Sequence, residues 1–208
     1  MKLKHAISAL ALTAAAGAAH AQAQCDSVIM SDVGWTDITT TTATAKHVLE
    51  GLGYDVDVKV LSVPVTFASL ESDDVDVFLG NWMPAQTSAI TPYLDSGEIE
   101  QINVNLEGTK YTLATPTYAY EAGLQSYADI AKFEDELDGK IYGIEAGNDG
   151  NRLIIDMIEK DMFGLKDFDI VESSEAGMLS QVSRAVPRKQ DVVFLGWEPH
   201  PMNANFEL

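Results

Sequence analysis

Three tryptophans each follow a short apolar run and a glycine. Trp35 ends the segment VIMSDVGW, and Trp82 and Trp197 lie in two similar segments, VDVFLGNWMP at 75–84 and DVVFLGWEP at 191–199. Such a run predicts a buried strand ending in a tight turn, which places the indole at the C-terminal edge of a sheet. Ligands bind at that edge in open α/β sheets. Three converging indoles would bind a cation, above all a quaternary ammonium group, because aromatic faces attract it.

Three further residues are candidates for the same site. Asp37 and Asn148 each lie at the start of a predicted helix, and Tyr111 lies where the chain crosses between two runs of elements. Each has a structural alternative, since Asp37 and Asn148 fit an N-cap and Tyr111 fits a half-buried strand position. A capping role and a ligand contact are compatible, because helix starts face the cleft.

Strand-like and helix-like segments alternate along the chain, which predicts an α/β fold built from parallel βαβ units. The predicted strands and extended segments are 27–33, 56–62, 75–79, 99–106, 111–118, 140–145, 168–172 and 191–195. The predicted helices are 37–52, 64–72, 84–97, 127–137, 148–163 and 175–186. Because the pattern restarts after residue 110, we expect two lobes, 25–110 and 111–200, with a cleft between them. Beyond Trp197 we expect no closing helix.

The first 23 residues are predicted to be an export signal rather than part of the fold. Lys2 and Lys4 precede an Ala-rich apolar stretch, and small-x-small cleavage sites follow at 19–21 and 21–23. The predicted location is therefore periplasmic. Gln24 before Cys25 argues against a lipid-modified cysteine. An unpaired Cys25 in an oxidising compartment leaves three alternatives open: an intermolecular disulfide, a free thiol, or a partner outside the given sequence.

The charge balance restricts the partners. The chain has 13 Lys and Arg against 32 Asp and Glu, a net charge of −19. This argues against nucleic acids and anionic membranes as partners. A solvated, salt-tolerant acidic surface is the simpler explanation, and steering of a cationic ligand is the alternative.

Catalysis is not expected. Beyond the predicted export signal only His47 and His200 remain as histidines, and no serine or cysteine lies in a recognisable nucleophile motif. Metal-ligand motifs and glycine-rich phosphate loops are also missing from the sequence. We therefore expect no catalytic residues, no metal and no cofactor.

Five segments together resemble the periplasmic substrate-binding proteins of glycine betaine/choline ABC importers, and within that family the choline-binding members. The matching segments are 34–37 (GWTD), 80–84 (GNWMP), Tyr111, 147–150 (GNDG) and 196–202 (GWEPHPM). The resemblance implies a two-lobe type II, venus-flytrap fold. It also implies an aromatic cage for a trimethylammonium group, formed by Trp35, Trp82, Tyr111 and Trp197.

The same resemblance implies the remaining roles. Asp37 would reinforce the cation and, with Asn148, bind the choline hydroxyl. The protein would act as a monomer and deliver its ligand to the membrane subunits of the importer. Choline is favoured over betaine, because the matching segments contain no Arg or Lys to bind a ligand carboxylate.

The chain departs from the family in length, and we expect it to be truncated at its C-terminus. Family members continue with a return that completes the first lobe, and residues 201–208 would begin that crossover. In the choline-binding members a cysteine of the return would pair with the equivalent of Cys25.

Three alternatives remain beside a choline receptor. The first is a glycine betaine or proline betaine receptor with the same fold. The second is a secreted choline-ester hydrolase, which would require a nucleophile and base that the sequence does not display. The third is a receptor domain fused to, or signalling through, a membrane partner.

Overall fold

The computed structural model describes residues 26–208, so the predicted export signal and Cys25 lie outside the described residues. The strands are β1 (Ser27–Asp32), β2 (Asp55–Val60), β3 (Val77–Phe78), β4 (Lys110–Ala114), β5 (Lys140–Tyr142), β6 (Asp169–Val171) and β7 (Phe194–Glu198). The α-helices are α1 (Thr36–Gly51), α2 (Val63–Glu71), α3 (Thr87–Ser96), α4 (Thr117–Ala122), α5 (Tyr127–Ile130), α6 (Glu134–Leu137), α7 (Asp149–Glu159), α8 (Glu175–Ala185) and α9 (Met202–Asn205). Short 3₁₀ turns cover Ala131–Phe133, Met162–Gly164 and Val186–Arg188.

The first sheet is parallel and has the strand order β2-β1-β3. Helices α1 and α2 connect its strands, as expected for βαβ units. Val56 and Met30 are buried within it, and Phe67 of α2 is 1% exposed. All three strands of this sheet therefore direct their carboxyl ends to one edge.

The second sheet is mixed and has the order β4-β7-β5-β6. Strand β5 pairs in parallel with β6 and β7, whereas β4 pairs with β7 antiparallel, so the expectation of purely parallel units is wrong for β4. Because β4 runs the opposite way, its first residues lie beside the last residues of β7. Tyr111 is thereby the direct register partner of Trp197.

The structure corrects the predicted position of the last strand. It runs over Phe194–Glu198 rather than 191–195, because its pairing with β4 includes Gly196 and Trp197. Gly196 therefore lies within the ladder and does not form the predicted tight turn. A Cβ atom at Gly196 would lie 2.8 Å from Cβ of Ala114, so the close approach of the two strands explains the glycine.

Several boundaries also differ from the prediction. Strand β3 has only two residues, and a turn precedes α3, which begins at Thr87 rather than at Pro84. Strand β4 ends at Ala114, because Pro116 stands at the N-cap of α4, a helix that the sequence analysis did not predict. Helix α9 follows the last strand, so the expectation that no helix closes the chain was wrong.

The carboxyl ends of the two sheets face each other across one cleft. Trp35 follows β1, Trp82 follows β3 and Asn148 follows β5, and all three lie near Trp197 of β7. Within residues 26–208, no helix combines the length and apolar character that crossing a bilayer requires.

Candidate functional site

The turn between β1 and α1 positions Trp35. Gly34 adopts a φ of +80°, and the buried carboxylate of Asp32 accepts hydrogen bonds from the Gly34 amide (2.9 Å) and the Thr39 hydroxyl (2.7 Å). Trp35 stands at the N-cap of α1 and is 5% exposed. Asp37 lies in the first turn of the helix, so the N-cap alternative for Asp37 is wrong.

A second turn positions Trp82 after β3. The carbonyl of Trp82 accepts a hydrogen bond from the Gln86 amide at 2.9 Å, and the Gln86 side-chain amide donates to the Gly80 carbonyl at 3.4 Å. Gln86 is 1% exposed and holds both ends of this turn. The indole of Trp82 is half-buried and faces the ring of Tyr111, with centroids 5.8 Å apart.

The paired strands β4 and β7 supply two aromatic walls. The rings of Tyr111 and Trp197 lie 6.3 Å apart in an edge-to-face arrangement. His200 also packs against Trp197, with ring centroids 4.8 Å apart, and the Asn203 side chain donates a 2.8 Å hydrogen bond to the Trp197 carbonyl. Trp197 is thus fixed by its strand and by the turn that follows.

Asn148 caps α7 and holds Tyr111. Its Oδ1 accepts hydrogen bonds from the Gly150 amide (2.7 Å), the Asn151 amide (3.4 Å) and the Tyr111 hydroxyl (3.0 Å). The N-cap interpretation of Asn148 is therefore confirmed. A Cβ atom at Gly150 would lie 2.1 Å from the Tyr111 hydroxyl, so only glycine fits beneath this ring.

These elements enclose a cavity with about 280 Å³ of space free of protein atoms, part of it continuous with solvent. Four aromatic side chains and three polar ones line it, together with two aliphatic residues. The lining consists of Trp35, Trp82, Tyr111, Trp197, Gln86, Asn148, Asp149, Ala85 and Ile144.

Hydrogen bonds cross the cleft between the two sheets. The Trp35 indole donates to Glu145 Oε1 (3.0 Å), and the Trp197 indole donates to Asp37 Oδ1 (3.2 Å). The Glu175 carboxylate accepts from both the amide (2.8 Å) and the hydroxyl (2.5 Å) of Thr36 at the start of α1. These hydrogen bonds join the two sides of the cleft.

Glu175 also connects to Trp197 through His200. Nε2 of His200 lies 3.1 Å from Oε1 of Glu175, and Nδ1 of His200 accepts a hydrogen bond from the Met202 amide at 2.9 Å. Since Nδ1 accepts, the ring proton is assigned to Nε2, on the side of Glu175. His200 thus links the Glu175–Thr36 contact across the cleft to Trp197 in the cavity wall.

The charged groups around the cavity are mainly carboxylates. Burial raises the pKa of Asp37, and the Trp197 hydrogen bond only partly offsets this effect. Burial likewise raises the pKa of Glu145 and of Asp149. Burial also desolvates Glu175, but its contacts with His200 and Thr36 outweigh that cost and hold the pKa below its ordinary value. A cation in the cleft would stabilise the ionised form of each.

The structure brings all six predicted site residues together. Five of them line the cavity: Trp35, Trp82, Tyr111, Asn148 and Trp197. Asp37 does not line the cavity but accepts a hydrogen bond from the Trp197 indole, and its buried Oδ2 has no hydrogen-bond partner among residues 26–208.

Sequence reasoning missed several residues of the cleft. These are Gln86, Glu145, Asp149, Glu175 and His200. Glu145, Asp149 and Glu175 all lie between the end of a strand and the first turn of the next helix. This position, at the C-terminal edge of a parallel sheet, is the sequence signal that could have identified them as residues of the cleft.

Comparisons with known proteins show which family and solved structures the chain is similar to. Residues 26–208 match the family model described as the substrate-binding domain of ABC-type glycine betaine transport systems. Uncharacterized protein ORF1 of Chromohalobacter salexigens is 51% identical over 150 residues, which cover 72% of this chain and 97% of that protein.

Two solved structures of an ABC-transporter choline-binding protein are 63% identical to the chain and match 88% of it. The complex with choline superimposes with a TM-score of 0.86, and the unliganded semi-closed form with 0.80. In both cases the match covers 63% of the solved chain. The present chain thus spans less than two thirds of that protein's length.

Proposed function

Because the chain belongs to the family of substrate-binding domains of ABC-type glycine betaine transport systems, we propose that it is an extracytoplasmic receptor for choline. The observation that carries this proposal is the aromatic cage, defined as Trp35, Trp82, Tyr111 and Trp197, around a cavity bordered by carboxylates. The family consists of transport components rather than enzymes, which argues against the choline-ester hydrolase.

The cage suits a trimethylammonium group. This group cannot donate conventional hydrogen bonds, so aromatic faces and nearby carboxylates are the means of binding it. A desolvated cation–π contact contributes about 2 kcal/mol. Several such contacts, less the costs of desolvation and closure, are consistent with micromolar binding, near about −8 kcal/mol.

The polar atoms favour an alcohol over a carboxylate. In the described part of the chain, none of the residues lining the cavity is Lys or Arg, while Asn148 Nδ2 and Asp37 Oδ2 are buried without hydrogen-bond partners. We propose that the choline hydroxyl accepts from Asn148 and donates to Asp37. A betaine carboxylate could accept from Asn148 in the same way, but its charge would oppose that of Asp37. A glycine betaine receptor remains the alternative.

We further propose how the receptor works. Residues 25–110 and 111–200 form two lobes around the two sheets, and 201–208 begins a crossover to the first lobe. The bound ligand completes the closed arrangement, which docks as a monomer on the membrane subunits of an ABC importer. Residues 1–23 direct export to the periplasm. The better superposition on the choline complex than on the semi-closed form supports closure around a ligand.

Tryptophan fluorescence tests the proposal directly. All three tryptophans of the sequence lie in the cleft, so intrinsic fluorescence reports on this site. We expect a saturable change with micromolar choline and a weaker response to glycine betaine. Trp197→Ala removes a buried wall and the bond to Asp37, and calorimetry should show choline affinity reduced by about 30-fold or more.

Tyr120→Ala is the matched control, because it removes an exposed aromatic ring of α4 that does not line the cavity. We expect its choline affinity to equal that of the unmodified protein. A folded protein that binds glycine betaine more tightly than choline would establish the alternative receptor. No binding of either ligand by a folded protein would reject the cage.

A further inference from the structure

Helix α1, which follows the cage residue Trp35, receives its cap from the other side of the cleft. Trp35 stands at the N-cap, and its indole accepts no hydrogen bond from the first amides of the helix. Oε2 of Glu175 accepts instead from the Thr36 amide at 2.8 Å, and Oε1 accepts from the Thr36 hydroxyl at 2.5 Å. Glu175 belongs to α8, beside the second sheet, so it can cap α1 only when the two sides meet.

A carboxylate suits this position. The start of a helix has free amides and the positive end of the helix dipole, so a negative charge there is stabilising. Burial by itself raises the pKa of Glu175, but the contacts with His200 and Thr36 outweigh this effect and hold the pKa below its ordinary value. The side chain is therefore ionised at neutral pH, which strengthens its hydrogen bonds to Thr36.

His200 connects this carboxylate to the aromatic cage. Its ring packs edge-to-face on Trp197, with centroids 4.8 Å apart, and its Nε2 lies 3.1 Å from Oε1 of Glu175. Nδ1 is occupied by the Met202 amide at 2.9 Å. The Nε2 contact departs from the ideal hydrogen-bond direction, but Nε2 has no other partner among residues 26–208, and the side chain is 2% exposed. Glu175 is therefore the polar group that this ring nitrogen serves.

Two consecutive residues of α1 are thus joined to one wall of the cage. Asp37 accepts directly from the Trp197 indole at 3.2 Å, and Thr36 is joined to the same indole through the Glu175–His200 pair. Neither member of that pair lines the cavity.

We infer that His200, Glu175 and Thr36 form a closure latch, in which His200 is a positioning residue that holds Glu175 on the start of α1. The latch prolongs the closed state and does not touch the ligand. This inference rests on the proposed function, because a receptor that closes around its ligand gives the latch its role.

A latch of this kind has a kinetic signature. Association begins from the open form, in which Glu175 and Thr36 are apart, so the association rate constant does not depend on the latch. Dissociation requires the two sides to separate, so a weaker latch speeds it. Because the latch makes no contact with the ligand, the factor should be the same for every quaternary ammonium ligand.

The test replaces His200 in two ways. His200→Asn keeps an acceptor for the Met202 amide but is too short to reach Glu175, whereas His200→Gln carries an amide donor near the position of Nε2. Stopped-flow tryptophan fluorescence measures association and dissociation of choline, glycine betaine and tetramethylammonium. His47→Asn is the matched control, because His47 is the other histidine of the described residues and is exposed on α1.

Thr36→Val tests the latch from its opposite end. It removes the hydroxyl that donates to Glu175 and leaves His200 and Trp197 in place. Circular dichroism checks the folding of each variant. If His200→Asn does not fold, Thr36→Val gives the same comparison of rate constants.

We expect His200→Asn and Thr36→Val each to raise the dissociation rate constants of all three ligands by one common factor, roughly fivefold, with association unchanged. His200→Gln should restore most of the loss, and His47→Asn should have no effect. Because both substitutions break the same latch, the double variant should dissociate far more slowly than the product of the two factors predicts.

Three results would overturn the latch while leaving the choline receptor intact. These are unchanged dissociation, factors that differ between the three ligands, and fully multiplicative effects in the double variant. Slower association in His200→Asn would likewise assign His200 to the cage instead. An unmodified protein that binds none of the three ligands would overturn the proposed function and the latch together.

Discussion

The two sides of the cleft hold their binding residues by different means. On the side of the second sheet, Tyr111 is bonded to Asn148 and paired through its strand with Trp197. On the side of the first sheet, the side-chain hydrogen bonds of Trp35 and Asp37 go across the cleft, to Glu145 and to Trp197. The polar contacts of Tyr111 are thus organised within its own side, whereas those of Trp35 and Asp37 are completed only when the two sides meet.

This difference assigns the two sides different roles in binding. Residues fixed before the ligand arrives cost little conformational entropy on binding. Residues that find partners only across the cleft make affinity depend on the population of the closed form, because the apparent dissociation constant rises as that population falls. The second side should therefore govern recognition, and the first side should govern the coupling between ligand and closure.

The strongest way to break the organised side is Gly150→Ala. The added methyl group would lie 2.1 Å from the Tyr111 hydroxyl and 2.6 Å from Cδ2 of Leu195, so Tyr111 must leave its bond to Asn148. We expect choline affinity to fall by about 30-fold and the free energy of unfolding by about 1–3 kcal/mol. Calorimetry and urea denaturation measure the two effects.

Gly51→Ala is the control for that substitution. It lies at the end of α1, where an added Cβ meets no atom within 4 Å. Its choline affinity should match that of the unmodified protein. If Gly150→Ala bound choline equally well, the Tyr111–Asn148 pair would not belong to the recognition surface.

A smaller effect is expected when the crossing contacts are weakened by Glu175→Gln. The glutamine keeps one acceptor for Thr36 but loses the charge that strengthens both bonds. No cage residue is replaced, so we expect affinity to fall mainly through the closed population, by about 1 kcal/mol, or roughly fivefold. Small-angle scattering should show a more open ligand-free protein.

Glu121→Gln, on the exposed face of α4, is the control for this charge change. Affinity that is unchanged in Glu175→Gln would show that the Thr36 contacts do not contribute to closure. A loss equal to that of Gly150→Ala would show that Glu175 supports the cage itself.

The features that local sequence patterns determine could be predicted, whereas those that depend on pairing between distant segments could not. The strand–glycine–tryptophan segments locate the aromatic cage, because each segment by itself indicates the C-terminal end of a strand in an α/β sheet. The bounds of β7 were mistaken because an antiparallel partner, β4, decides which residues enter the ladder. Apolar composition alone cannot report that pairing.

Contacts across the cleft were the least predictable features. Glu145 and Glu175 are more than 100 residues from Trp35 and Thr36, their partners, and no local pattern joins them. Asp149 lies in the 147–150 segment, but only the folded structure shows that its Oδ2 has no hydrogen-bond partner among residues 26–208. Local rules thus predict the walls, whereas tertiary packing decides their polar partners.

The smallest expected effect is a pH dependence that comes from both sides. Burial raises the pKa of Asp37, on the first side, and of Asp149, on the second. A bound cation favours the ionised forms and lowers both pKa values, so binding releases protons at a pH near those values. Choline affinity should therefore fall as the pH is lowered through the raised pKa values.

The effect of the same groups on folding has the opposite sign. Because their pKa values are higher in the folded protein than in the unfolded chain, their protonation stabilises the ligand-free fold, and that contribution is lost as the pH rises through the folded pKa. As the pH is lowered towards these raised pKa values, we expect choline affinity to fall by about threefold, with proton release on binding detected by calorimetry in buffers of different ionisation enthalpy. Asp149→Asn should lose part of this dependence and Asp37→Asn another part. If Asp37→Asn alone abolished it, the titrating charge would belong to the side completed by closure.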